Sequence, residues 1–132
     1  MNVSPSVPLG LYHLTAVREP LARGTLVVLP VPASVRTWQH IPLLKPIAGV
    51  SGDDVWITPD GVWINTMWYG PVLREARGMP LPWHPGCHRV ADGRVFVASA
   101  MSNSLDSRYF GDILVTSLVA IASPLWTWRY PL

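Results

Sequence analysis

Two residue types in this sequence could together make a nucleophile and its base. Ser6 lies in the stretch Ser4-Pro5-Ser6-Val7-Pro8-Leu9-Gly10-Leu11-Tyr12, and Lys45 lies 39 residues further on. Pro5 fixes its own φ and pushes Ser4 toward extended geometry, and Pro8 does the same to Val7. Ser6 is therefore expected in a short, stiff, extended segment. A free hydroxyl is a poor nucleophile and needs a base within hydrogen-bond reach.

Lys45 is the only lysine in the chain, and its neighbours are Ile41, Leu43, Leu44, Pro46 and Ile47. An ordinary lysine has a pKa near 10.4, so roughly four molecules in ten thousand carry the neutral amine at pH 7. Burial disfavours the charged form and lowers that value. A lysine pointing inward from such a run would serve as a base; one at a strand end would be solvated and inert.

Three further groups have the right chemistry. The Ser4 hydroxyl could donate to an oxyanion beside the Ser6 N–H, or be a polar residue near a chain end. Ser104 could orient a lysine amine. Asp106 and Arg108 are close enough for an ion pair, which as a solvated turn would be worth little. His84, Cys87 and His88 are possible zinc ligands, but Pro85-Gly86 between them reads as a turn and no fourth ligand cluster accompanies them. The expectation is no metal and no cofactor.

The elements that must carry these groups are short strands. The 132 residues make one domain, residues 1–132, with 49% apolar and only 14% charged residues. A net charge of +2 with no Lys/Arg run argues against nucleic acid as a partner. One cysteine, Cys87, excludes an internal disulfide. There is no signal peptide and no apolar run long enough to span a bilayer. Seven tryptophans are many for this length, and some must lie near the surface, facing a partner or a membrane interface.

Residues 9–17 and 25–29 read as strands, and residues 34–40 as one or two helical turns capped by Ser34. Asp54-Val-Trp-Ile-Thr58 and Gly61-Val-Trp-Ile-Asn65 flank Pro59-Asp60 and form the clearest hairpin. Residues 69–87 read as a long loop, 93–99 as a strand, 101–111 as a polar, turn-rich insertion and 113–121 as the last strand. The fold class is mostly β, with short antiparallel strands, long loops and little helix.

These pieces resemble the TraF-type peptidases of conjugative transfer, within the type I signal peptidase superfamily. Residues 4–12 resemble that family's serine box, and Leu44-Lys45-Pro46-Ile47-Ala48-Gly49-Val50-Ser51-Gly52-Asp53 its lysine box. Residues 103–111 resemble its Ser-x-Asp-Ser-Arg-aromatic-aromatic-Gly box. Arg23-Gly24-Thr25 is similar to the family's Arg-Gly-Asp element, with Thr25 in place of Asp. Pro46, Ser51 and residues 99–102 depart from the commoner pattern.

The resemblance implies a signal-peptidase-like catalytic core and a serine endopeptidase with a Ser/Lys dyad. Ser6 would be the nucleophile and Lys45 the general base. Ser104 would hydrogen-bond the amine, Ser4 and the Ser6 N–H would form the oxyanion hole, and Asp106 and Arg108 would brace the site. It implies a pilin-like precursor with small residues before the cut as substrate, and in some relatives cyclisation of the product. The family carries a membrane anchor ahead of the serine box. The expectation is therefore the catalytic part of something longer, on the periplasmic side of a bacterial inner membrane.

Two other readings stand beside it. One is a self-cleaving repressor-type Ser/Lys domain, for which no DNA-binding segment is visible. The other is a non-catalytic β-domain that binds a partner or a membrane through a Trp-rich face.

Overall fold

The computed structural model describes residues 10–35, 41–76, 78–99 and 105–127. The strands are β1 Gly10–Thr15, β2 Leu26–Leu29, β3 Leu43–Gly49, β4 Asp54–Thr58, β5 Gly61–Ile64 and β6 Met67–Trp68. They continue with β7 Glu75–Ala76, β8 Met79–Pro80, β9 Gly86–Arg89, β10 Arg94–Val97, β11 Ile113–Leu114 and β12 Ala120–Thr127. One helical turn, α1, covers Ser107–Phe110. The fold is mostly β, and every strand pair is antiparallel.

A six-stranded sheet runs in the order β1-β12-β2-β3-β10-β11. β3 lies inside it, hydrogen-bonded to β2 on one flank and β10 on the other. Its sequence is nearly all apolar because both of its faces are covered, with only Pro46 partly exposed. Proline cannot donate to a ladder. The pairing accommodates it because the register with β10 slips by one residue between Phe96 and Val97. The Pro46 carbonyl still accepts the Ala98 N–H at 3.2 Å.

A four-stranded sheet, β6-β5-β4-β9, stands beside the first. The expected hairpin is its centre, with Thr58 opposite Gly61 and Trp56 opposite Trp63. Alternation decides its faces: Val55, Ile57, Val62 and Ile64 are buried, while Trp56 is 55% exposed. Trp63 pairs in turn with Trp68, which is 49% exposed. The three indoles form an outward cluster with centroids 6.0 Å and 4.7 Å apart. Gly61 makes room for it, since a Cβ there would lie 2.1 Å from the Trp68 ring.

Several sequence expectations change. Residues 33–35 form a 3-10 turn with Ser34 inside it and not at its cap; residues 36–40 lie outside the described residues. The loop over 69–87 contains the small β7-β8 ladder and the start of β9. The last strand is not 113–121. β11 ends at Leu114, a 3-10 turn covers Val115–Ser117, and β12 continues through Pro124 to Thr127. Pro124 fits because it faces Tyr12, where β1 shifts register. Among the described residues no helix is long and apolar enough to cross a membrane.

Candidate active site

β3 delivers Lys45 into the interior, with no exposed surface. Its backbone faces Val27 of β2. The surrounding apolar side chains withdraw water from the amine, and this lowers its pKa to about 8. Asp106 pulls the value up and Arg108 pushes it down, so both lie within electrostatic range of the amine. At pH 7 about a tenth of the molecules then hold the neutral amine, roughly a 200-fold gain over a solvated lysine. The solvated-lysine alternative is set aside by this burial.

Asp106 and Arg108 are likewise fully buried, which sets aside the alternative of a solvated turn for this pair. The charges tolerate burial because each answers the other. Arg108 Nη2 lies 2.7 Å from Asp106 Oδ2, and Arg108 Nε lies 2.9 Å from Oδ1. Asp106 also caps α1 by accepting the Arg108 N–H at 3.0 Å, and it accepts the Ser99 N–H at 3.2 Å. Burial works against the Arg108 charge, but the Asp106 hydrogen bonds and field prevail and raise its pKa.

Four consecutive residues fasten this turn to its neighbours. Asp106 holds Ser99, and the Ser107 hydroxyl accepts the Val97 N–H at 2.9 Å. Arg108 donates to the Ser99 carbonyl and, at 3.0 Å, to the Pro71 carbonyl. The Tyr109 hydroxyl accepts the Leu73 N–H at 2.9 Å. Gly111 closes the turn with φ 82°, a left-handed value suited to glycine, and donates to the Ser107 carbonyl at 3.0 Å.

Of the residues singled out in the sequence, the fold therefore gathers Lys45, Asp106 and Arg108. Ser4, Ser6 and Ser104 lie outside the described residues. Ser99, Ser107 and Tyr109 were not anticipated; the aromatic after Arg108 was the one available signal. Arg23 also has an unforeseen partner. It pairs with Asp53 through Nε at 2.9 Å and through Nη2, and Asp53 additionally accepts from Val50 N and Asn65 Nδ2.

The zinc possibility at residues 84–88 has a different resolution. His88 Nε2 lies 2.9 Å from both carboxylate oxygens of Asp112. Among the described residues no three His, Cys, Asp or Glu side chains gather to hold a metal ion.

Comparison with known proteins adds to this geometry. Residues 1–127 match the family described as signal peptidase, peptidase S26. The chain is 31% identical to a conjugal transfer protein TraF from Agrobacterium tumefaciens (strain 15955), covering 98% of this chain and 82% of that protein. It is also 31% identical to a probable conjugal transfer protein TraF from Sinorhizobium fredii (strain NBRC 101917 / NGR234), covering 97% and 77%. A crystal structure of a signal peptidase I from Enterococcus faecalis V583 aligns with a TM-score of 0.49 at 21% identity, over 80% of this chain and 98% of that one.

Proposed function

We propose, for a chain that belongs to the signal peptidase, peptidase S26, family, that it is a serine endopeptidase working through a Ser6/Lys45 dyad. Its substrate is a pilin-like precursor processed for conjugative transfer. The observation that carries this reading is a wholly buried Lys45 whose amine titrates near 8.

The chemistry runs in two stages. A precursor strand lies beside the dyad. Neutral Lys45 takes the Ser6 proton as Oγ attacks the scissile carbonyl, and the Ser4 hydroxyl with the Ser6 N–H holds the oxyanion. The tetrahedral species collapses, the C–N bond breaks, and the new amine leaves with the proton from Lys45. Water, activated by the same amine, then releases the acyl group. If the amine of the substrate's own far end attacks instead, the product is cyclic. Ser104 orients the lysine, and Asp106 with Arg108 supports the strand end beside it.

A membrane surface on the periplasmic side suits this reading. Trp56, Trp63 and Trp68 offer amphipathic rings of the kind that settle at headgroup level. The same cluster favours a second reading, a non-catalytic β-domain docking through that face.

Ser6→Ala and Lys45→Ala decide between them. Incubated in detergent with precursor and followed by mass measurement, each variant is expected to lose cleavage while keeping a cooperative melt. Unchanged cleavage in either variant rejects the dyad. No cleavage by the unaltered protein favours the docking domain.

A further inference from the structure

Segment 71–73 belongs to no strand, yet it is fastened at two points to the charged cluster. Arg108 grips the Pro71 carbonyl through Nη1 while Nη2 grips the Ser99 carbonyl. One planar guanidinium thus holds residue 71 close to the end of β10. The next residue of α1, Tyr109, is fully buried and takes the Leu73 N–H. Between these tethers Val72 is buried, Pro71 is exposed and Leu73 is half-buried.

A segment outside any ladder is ordinarily mobile. Here three residues are held by two side chains of the same helical turn, and Arg108 is also near enough to act on Lys45. The tethered segment therefore runs alongside the lysine's charged neighbours, with one side in the core and the other open. A wall fixed in advance spares an extended ligand the cost of ordering it.

Resting on the peptidase reading, we propose that Tyr109 is a positioning residue that holds segment 71–73 as a fixed wall of the groove where the precursor lies beside Lys45. It acts through Leu73, whose N–H its hydroxyl accepts. Burial raises its pKa, so the hydroxyl stays neutral in the working range.

Tyr109→Phe tests this, since it removes one hydroxyl and keeps the ring. The readout is the Kd of a fluorescently labelled precursor peptide for the Ser6→Ala protein, with and without Tyr109→Phe. Expected is about fivefold weaker binding, the worth of one neutral hydrogen bond. Faster amide exchange at Leu73 should accompany it. In the Ser6-containing enzyme, KM should rise by a similar factor, while kcat and the pH midpoint stay put.

An unchanged Kd despite faster Leu73 exchange overturns the wall. A lower kcat with a displaced pH midpoint also overturns it, since Tyr109 would then act on the lysine. If Tyr109→Phe folds poorly, Leu73→Ala trims the wall while keeping the N–H, and the same weakening is expected. Failure of the peptidase reading is separately visible as no difference in cleavage between the unaltered and Ser6→Ala proteins. Peptide binding then still decides the wall, and no binding to either protein overturns it.

Discussion

Arg108 and Asp106 form a fully buried ion pair in which Nη2 and Nε of the arginine reach the carboxylate at 2.7 Å and 2.9 Å. Breaking such a pair from one side leaves a charge stranded in the interior, which costs about 3–5 kcal/mol. Asp106→Asn keeps the shape but removes the charge. It is expected to lower stability by an amount in that range, read from urea unfolding at pH 7. A loss below about 1 kcal/mol, the figure for an exposed pair, would contradict the burial.

The same pair biases the lysine. Asp106 raises the Lys45 pKa against the larger lowering by burial. kcat/KM should therefore rise with pH and level off with a midpoint near about 8. In whatever Asp106→Asn protein remains folded, the midpoint should move to lower pH. A midpoint above 10 in the unaltered enzyme would show a solvated amine.

Lys45 also has a stability signature. Its folded pKa, about 8, lies below the ordinary 10.5, so the unfolded chain binds the proton more tightly. The penalty is fully present below pH 8 and fades as pH rises toward the unfolded value. Lys45→Met should stabilise the fold at pH 7 by roughly 3 kcal/mol. The gain should nearly vanish by about pH 10.5, while cleavage is lost at every pH. Urea titrations at pH 7 and pH 10.5 check this, and equal differences at both would refute it.

The tryptophan face makes a separate claim. Trp56→Ser with Trp68→Ser should weaken binding to phosphatidylethanolamine–phosphatidylglycerol vesicles by about tenfold, equivalent to about 1.4 kcal/mol. Cleavage of a soluble peptide should stay within twofold, roughly the scatter of surface substitutions. Gly61→Ala offers a subtler probe, because its methyl would occupy the space of the Trp68 ring. The ring must leave, and a red shift in fluorescence should report it.

The parts of this fold legible in the sequence are those set by local chemistry. The Pro59-Asp60-Gly61 turn and the alternation around it specified the β4-β5 hairpin. The apolar run around Lys45 marked where an amine could lose its water, and the structure adds that β3 is covered on both faces there. What escaped was decided by distant partners. Pro124 reads as a strand end until Tyr12 lies opposite with a shifted register. Residues 106–109 read as a polar turn because nothing local says that Ser99, Pro71 and Leu73 will receive them. Asp53 as the partner of Arg23 is a contact across 30 residues. Within the candidate site, Lys45, Asp106 and Arg108 were visible from residue type and neighbours, whereas the tether through Tyr109 was not.

β3 is flanked by hydrogen-bonded neighbours on both sides, and this limits how the molecule can be re-engineered. Slipping the strand by one residue would turn the amine to the opposite side of the sheet and disturb two ladders at once. Retargeting such a scaffold to new cargo is therefore a task for its loops, with the strand that bears the amine left as the fixed datum from which every altered contact is measured.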